Sequence, residues 1–193
     1  MSEMISAVET WFMNYGVWGL ILLSFTESSF FPIPPDVLII PMALANPDSA
    51  LLYAFYTTLA SALGSIFGWY IGKRLGRPVL QRFISEERIL KVEEYFNKYG
   101  PLAILIAGFT PIPYKVFTVF AGVSKMKIRV LFLWSLVGRG IRFFLEAFLI
   151  IRLGEQALPF IEENLTTLSI GAAVLILFVY GGYRYFQKKQ QTS

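Results

Sequence analysis

The chain contains no cysteine and no histidine, and only 16% of its 193 residues are charged. The missing cysteines and histidines exclude disulfide scaffolds, zinc sites built on those residues, and cysteine or serine–histidine nucleophiles. Any proton chemistry near neutral pH must therefore use carboxylates, lysine or tyrosine with shifted pKa values. Soluble domains carry about 25% charged residues. The low charge, together with 55% hydrophobic residues and a mean hydropathy of +0.58, predicts one membrane-embedded unit over residues 1–193.

Basic residues are also missing from the first third of the chain. Residues 1–72 hold no Lys or Arg, whereas 73–98 hold seven against four acids. This basic segment lies between hydrophobic stretches and mixes both signs, which favours a cytoplasmic loop that obeys the positive-inside rule over a nucleic-acid surface. We therefore expect 77–97 to be a cytoplasmic amphipathic linker, and we expect no nucleic-acid partner.

Three segments are long enough to cross about 30 Å of hydrocarbon as helices. Residues 49–72 and 165–183 are uncharged, and the second of these is expected to be an additional C-terminal transmembrane helix. A third segment, 130–151, contains three charged residues: Arg139, Arg142 and Glu146. We expect this helix to turn its charged side chains toward protein or water rather than lipid.

Two other apolar regions are interrupted by proline clusters, Pro32-Ile33-Pro34 and Pro111-Ile112-Pro113. Proline removes a backbone donor and disfavours helix in the residue before it, so the chain is expected to be non-helical at both places. The pieces that follow, 37–47 and 116–124, would reach roughly 14 to 17 Å as helices. That length is about half the thickness of a bilayer core.

Non-helical backbone at membrane depth is stable only when it is buried in protein or lines a watery cavity. The sequence therefore predicts two re-entrant hairpins, over 14–47 and 98–124, with the prolines at their tips. A competing prediction makes 11–31 a full span.

The two proline regions belong to an internal repeat. Four matches keep their order, with offsets of 84, 79, 79 and 78 residues: Tyr15-Gly16 with Tyr99-Gly100, Pro32 with Pro111, Val37 with Val116, and Arg74-Leu75-Gly76 with Arg152-Leu153-Gly154. Each repeat, 14–76 and 98–154, would combine a hairpin with one crossing, so the second repeat would be inverted. Inverted repeats with broken helices are typical of secondary transporters.

The distribution of charge gives an independent prediction of topology. If the N-terminus lies outside and the C-terminus inside, the basic clusters of 73–98, 125–129 and 184–189 all fall on the cytoplasmic side. The predicted fold is therefore an all-α, multi-pass membrane protein with two inverted repeats and one further C-terminal helix.

Six charged residues lie within the predicted membrane region, three acidic and three basic: Glu27, Asp36, Lys115, Arg139, Arg142 and Glu146. Burying each costs about 2.5 kcal/mol or more, so we expect mutual pairing or a wet cavity. Asp36 and Lys115 occupy equivalent repeat positions, which suits an ion pair or a gate. Three structural alternatives stay open. Arg142 and Glu146 are spaced to pair along one helix, Lys115 could snorkel to the interface if its hairpin is shallow, and Asp36 is placed to cap the helix that starts at Val37.

Glu27 precedes the first proline break with no capping role, and we expect it to act as a proton acceptor, with Asp36 as its companion in proton binding and gating. The basic side chains Lys115, Arg139 and Arg142 are the predicted phosphate-binding residues. Half-helices that begin after the prolines would add N-terminal amides that attract anions. Alternatively, these amides and basic side chains only stabilise the acids already present.

A stripe of glycines, Gly64, Gly68, Gly72 and Gly76, recurs every four residues along the first long apolar run. Small residues at this spacing let another helix approach closely. We predict that the stripe serves packing rather than chemistry. Together with the aromatic surface, it allows a homodimer without requiring one.

Taken together, these residues resemble the DedA family, also called VTT-domain or SNARE-associated membrane proteins. The resemblance depends on Glu27 followed by the proline-rich break and Asp36, on the run from Gly64 to Gly76, and on Ala121-Gly122 at the end of the second hairpin. It implies inverted re-entrant hairpins in a bacterial plasma-membrane protein. It also implies a link to lipid movement across the bilayer, such as undecaprenyl phosphate recycling, phosphatidylethanolamine translocation or phospholipid scrambling, with proposed dependence on the proton-motive force.

The family's acidic pair maps onto Glu27 and Asp36, whereas its two arginines around the second hairpin do not map cleanly. Lys115 stands in one of those places, and Arg139 and Arg142 supply the remaining positive charge. This departure leaves the identity of the lipid open.

The predicted function is movement of a phosphate-headed lipid between leaflets, with no cofactor. One rival is a proton-coupled transporter of a soluble ion or drug. A second rival, an enzyme acting on lipid phosphate, would require a histidine nucleophile or a metal-binding acid cluster that the chain does not offer. A third rival is a purely structural or assembly role, in which Glu27→Gln and Arg139→Ala would lower stability and leave function unchanged.

Overall fold

A computed structural model describes residues 14–82, 85–108 and 113–156 of the chain. Every regular element in these ranges is helical, and the α-helices in chain order are α1 (Val17–Glu27), α2 (Asp36–Ala45), α3 (Ala50–Leu75), α4 (Arg77–Leu80), α5 (Glu86–Tyr99), α6 (Leu102–Ala107), α7 (Tyr114–Val123) and α8 (Ile128–Leu153). Short 3-10 turns at Pro47–Ser49 and Gly154–Gln156 precede α3 and follow α8. The all-helical prediction is confirmed for the described residues.

The two longest helices, α3 and α8, pack against each other and form the centre of the molecule. Ser61 of α3 contacts Arg139 of α8, and the Thr58 methyl group lies beside Gly140. Further toward the start of α3, Ala50 shares a core cluster with Ile150, near the end of α8. The two helices therefore run antiparallel.

The order and length of the helices are duplicated along the chain. A helix of 10 residues precedes a helix of 26 residues in each half: α2 then α3, and α7 then α8. Both long helices end on a glycine with a positive φ, 70° at Gly76 and 55° at Gly154, which is a backbone conformation that favours glycine. The repeated Arg-Leu-Gly sequence thus terminates both long helices in the same way.

The backbones of the short helices come close to the glycine stripe, and this contact positions those helices against α3. A Cβ atom at Gly64 would overlap the carbonyl oxygen of Phe25 in α1, and one at Gly72 would overlap that of Val119 in α7. On the facing side, a Cβ atom at Gly122 would overlap the Trp69 carbonyl oxygen. Gly64, Gly68 and Gly72 therefore lie where the broken segments of both halves touch the same long helix. The packing prediction is wrong for Gly76, which ends α3 and meets only Pro78.

The helix boundaries exclude one of the two predictions for the first apolar region. Helix α1 has 11 residues, begins at Val17 and ends at Glu27, so it spans about 16 Å at 1.5 Å per residue. The competing prediction of a full span over 11–31 is therefore wrong. The helix ends at Glu27 because a proline-rich segment follows, and proline removes backbone donors and disfavours helix.

Among the described helices, the segment Pro47–Leu75 is long and apolar enough to cross a membrane by length and composition. The predicted helix over 130–151 is present as α8, with its three internal charges. The predicted C-terminal helix over 165–183, and Pro111 of the second tip, lie outside the described residues.

Candidate functional site

A ring of hydrogen bonds joins α1 to both long helices. Arg139 donates through Nη2 to Glu27 Oε2 at 2.5 Å and through Nε to Ser61 Oγ at 2.7 Å. Ser28 Oγ lies 2.5 Å from Ser61 Oγ and donates to Glu27 Oε2 at 3.2 Å. Four side chains from α1, the segment after it, α3 and α8 thus close one ring.

The chemistry of these groups determines the direction of every hydrogen bond in the ring. A guanidinium can only donate, so the Ser61 hydroxyl accepts from Arg139. Because Ser28 donates its one hydrogen to Glu27, the hydrogen between the two serines comes from Ser61. Glu27 therefore accepts hydrogen bonds from both ends of the ring, an arrangement that suits the ionised carboxylate.

The guanidinium of Arg139 is almost completely buried, with 2% of its side chain exposed. The Tyr114 and Phe143 rings flank it, with their centroids 4.8 Å and 4.7 Å from Cζ. Tyr114 is itself held by a hydrogen bond of 2.6 Å to Ser135 Oγ. Aromatic faces attract a cation and exclude water from it. Arg139 therefore depends on the Glu27 carboxylate for compensation of its charge.

A second ion pair joins α2 to α8. Arg142 Nη2 donates to both oxygens of Asp36, at 2.9 Å and 3.0 Å, and Arg142 Nε donates to Glu146 Oε1 at 3.1 Å. Asp36 is the first residue of α2, after the N-cap Pro35, and its carboxylate is bound to Arg142, so the alternative in which it only caps that helix is wrong. The predicted pairing of Arg142 with Glu146 along one helix is present, but Arg142 also binds Asp36.

Lys115 is buried and reaches from α7 to the end of the first half. Its Nζ lies 3.4 Å from the Phe30 carbonyl oxygen and 3.3 Å from that of Phe31, just before the first prolines. Asp36, its equivalent in the repeat, pairs with Arg142 instead, so the two do not form the ion pair that their repeat positions suggested. Nearby, Thr118 Oγ1 donates to the Ser28 carbonyl oxygen at 3.0 Å.

The structure thus brings the predicted proton-binding residues, Glu27 and Asp36, to the same face of α8 as the predicted phosphate-binding arginines. Lys115 lies at the first break, against the backbone carbonyl oxygens of Phe30 and Phe31. In the first proline cluster, Pro32 and Pro34 are exposed, and Pro113 directly precedes α7. No group of three Asp or Glu side chains that could hold a metal ion occurs among the residues that the structure describes.

Sequence reasoning missed the hydroxyl groups of this site. Ser28, Ser61 and Thr118 are fully buried and link the two halves of the repeat. One signal was present: Ser61 lies three residues before Gly64, on the helix that carries the glycine stripe, where close packing leaves a polar side chain no route to solvent.

Comparison with known proteins agrees with this arrangement of breaks and charges. The family model described as the VTT domain matches residues 33–152, which include Asp36, Lys115, Arg139, Arg142 and Glu146. An uncharacterised protein of Haemophilus influenzae is 37% identical over 170 residues, covering 86% of this chain and 88% of its own. Other matching relatives are described as membrane proteins.

Two relatives have names that mention a function. A protein of Staphylococcus aureus named undecaprenyl phosphate transporter A is 25% identical, with both chains covered completely. A Lactococcus lactis protein named alkaline phosphatase-like protein is 30% identical and covers 66% of this chain and 64% of its own. No solved structure matches the chain.

Proposed function

The chain belongs to the VTT domain, or DedA, family, and on that basis we propose that it is a membrane transporter that moves a phosphate-headed lipid between leaflets with exchange of protons. The observation that carries the proposal is the pairing of two arginines of one long helix with acids on either side of the first proline break. Undecaprenyl phosphate and phospholipids are the candidate substrates.

An exposed apolar stripe on α3 supports a position in the membrane. Leucine and phenylalanine side chains spaced four residues apart along one face are between a third and a half exposed: Leu51, Phe55, Leu59, Leu63 and Phe67. A soluble protein rarely presents such a continuous apolar surface to water. Contact with lipid acyl chains would cover it.

The packing of the first half supports a re-entrant hairpin. Leu20 of α1 and Ala43 of α2 share a core cluster with Ala50 at the start of α3. The segment between the two short helices reaches further along α3, where Ser29 Oγ donates to the Gly64 carbonyl oxygen at 2.8 Å. Both arms of the hairpin would therefore return to one end of α3, with the tip near its middle.

The duplicated order of helices supports the inverted repeats over 14–76 and 98–154. A hairpin does not cross the membrane, whereas the long helix of each repeat does, so one repeat would be turned over relative to the next. The linker 77–97 would then lie on the cytoplasmic side, with the N-terminus outside. The helix over 165–183 would return the C-terminus to the cytoplasm of a bacterial cell.

The ion pairs suggest how protons and phosphate would compete. In the described arrangement, carboxylates occupy the positions on Arg139 and Arg142 that a headgroup phosphate would take. Protonation of Glu27 would release the guanidinium of Arg139, and protonation of Asp36 would free Nη2 of Arg142, to bind phosphate, for which the planar fork of arginine is suited. Lys115 would add a third positive charge from the second half. Proton binding and phosphate binding would thereby be linked.

A transport role suits the side chains of this site better than an enzymatic one. Without histidine, the chain lacks the usual nucleophile for phosphate-ester transfer, and the acids that approach the site are bound to arginines. Because the Lactococcus lactis relative is named alkaline phosphatase-like protein, hydrolysis of a phosphate ester is also measured.

The proposal is tested with purified full-length protein in liposomes. Fluorescent phospholipid or undecaprenyl phosphate is placed in one leaflet, and its appearance in the other is followed with and without a pH gradient. Arg139→Gln is expected to slow movement at least about tenfold, since a charge-assisted contact contributes about 1.5–3 kcal/mol. Arg152→Gln is the matched control, because Arg152 lies on the same helix and is exposed.

Parallel vesicles containing soluble phosphate, a drug substrate or a phosphate ester measure the rival activities. Uptake of the soluble compound without lipid movement would favour the ion or drug transporter, and release of phosphate would favour an enzyme. Stable protein that moves no lipid in any of these vesicles would overturn the proposal.

A further inference from the structure

Arg142 faces two carboxylates, which its single positive charge cannot neutralise. Asp36 receives both of its hydrogen bonds from Nη2, and Glu146 receives one from Nε. Both carboxyl groups are therefore held by one guanidinium, with their oxygens 2.9–3.1 Å from its nitrogen atoms. Two ionised carboxylates around one positive charge leave a surplus negative charge in a buried place, which is unfavourable unless one carboxyl group carries a proton.

Burial makes Glu146 the group that holds this proton. Only 4% of its side chain is exposed, against 18% for Asp36. Glu146 Oε2 is buried and has no hydrogen-bond partner among the described residues, whereas both oxygens of Asp36 accept from Arg142. A proton on Glu146 would remove the surplus charge. Its other oxygen would still accept from Arg142.

The neighbouring elements offer few other charges to compensate Glu146. Helix α3 has no Asp, Glu, Lys or Arg before Lys73, and α6 has none. Tyr53 of α3 is the buried titratable side chain in the adjoining core cluster. Asp48 in the turn before α3 is exposed, and the turn after α8 contains Glu155. Arg139, on the same helix, is bound to Glu27.

We propose that Asp36 and Glu146 share one proton around Arg142, and that Glu146 holds it in the conformation described here. When Asp36 leaves Arg142, the O–H bond of Glu146 breaks and an O–H bond forms on Asp36, directly or through water. Arg142 then faces the Glu146 carboxylate, so its charge is balanced in both arrangements. The use of this exchange in transport rests on the proposed function, whereas the protonation of Glu146 does not.

Infrared spectroscopy of the purified full-length protein at neutral pH tests the protonation without any substrate. Wild type is expected to show the C=O stretching band of a protonated carboxyl group. Glu146→Gln should remove that band, and Asp36→Asn should remove it as well, because Glu146 would then ionise beside Arg142. Asp48→Asn is the matched control and should leave the band in place, because Asp48 is exposed and lies outside the site.

Thermal stability gives a second measurement on the same samples. Because glutamine resembles the protonated acid, Glu146→Gln should keep the apparent Tm within about 2 °C of wild type. Asp36→Asn requires the buried Glu146 to ionise and should lower the Tm by more than about 4 °C. Absence of the band from wild type, or its persistence in Glu146→Gln, would overturn the proposal. A normal band in protein that moves no lipid would overturn only the proposed transport function.

Discussion

Arg139 and Glu27 are separated by 112 positions in the chain and are joined by an ion pair of 2.5 Å. Glu27 is the last residue of α1, where the first proline-rich segment begins, and Arg139 lies near the middle of α8. The pair therefore ties the broken segment of the first half to the long helix of the second. Any movement of the first break must separate these charges or carry α8 with it.

This coupling is measurable with a double-variant cycle. Glu27→Gln and Arg139→Gln should each destabilise the protein by about 3–5 kcal/mol, because each leaves one buried charge without its partner. The double variant should lose much less than the sum, with thermal unfolding of purified protein as the measurement. Strictly additive losses would show that the two side chains do not compensate each other.

The glycine stripe predicts a contrast between two substitutions in long helices. Gly72→Ala should destabilise by about 1–3 kcal/mol, because the added methyl group overlaps the Val119 backbone and forces the helices apart. Gly140→Ala is the matched control: its Cβ atom would meet only the Thr58 methyl group, at 3.5 Å. Since alanine favours helix over glycine by up to about 1 kcal/mol, Gly140→Ala should be neutral or stabilising. Equal effects of the two changes would contradict the packing.

We expect the Ser61 hydroxyl group to contribute to stability in addition to the ion pairs. Ser61→Ala leaves Arg139 Nε and Ser28 Oγ without their shared partner, which should cost about 1–3 kcal/mol and slow lipid movement. Ser65→Ala is the control, because the buried Ser65 hydroxyl donates only within its own helix, to Ala62. Matching unfolding curves and transport rates for the two variants would show that the ring has no special role.

The stability of the segment between the two halves is expected to depend on pH. Hydrogen bonds from Gln81 and then Arg77 hold the pKa of the Glu86 carboxyl below its ordinary value of 4.5. A lowered pKa in the folded state means that this contact stabilises the protein above the ordinary pKa and is lost as the pH falls through the lowered one. Because the group is exposed, the change should be small.

Carboxyl-carbon NMR titration measures this directly. Arg77→Gln should return the Glu86 midpoint toward its ordinary value, and Lys91→Gln should affect the neighbouring Glu87, which pairs with Lys91, and leave Glu86 unchanged. An unaltered Glu86 midpoint in Arg77→Gln would contradict the assignment of this ion pair.

Part of the candidate site follows from spacing along the chain. The pairing of Arg142 with Glu146 needs only the 3.6-residue period of one helix, and it is present. The half-helices after the prolines begin at Asp36 and Tyr114, within two residues of the predicted starts at Val37 and Val116. These features are local, so backbone geometry and residue type are sufficient to predict them.

The partners of the remaining charges could not be predicted in this way. Asp36 pairs with Arg142 rather than capping its own helix, and Lys115 reaches the Phe30 and Phe31 carbonyl oxygens rather than Asp36. Which side chains meet depends on the rotation of each helix about its axis and on how closely two axes approach. Spacing within one helix carries no information on either quantity.

The amino-acid sequence by itself determined the all-helical class, the proline breaks, the repeat and the set of six charges within the apolar region, because composition and local backbone chemistry are sufficient for these. Only the tertiary structure decided that Glu27 is bound to Arg139 and that Arg142 faces two carboxylates. The packing of α1, α2 and α3 against α8 brings these groups together from distant parts of the chain. Because these carboxyl groups are buried, their charge is costly, and the position of a single proton among them affects stability.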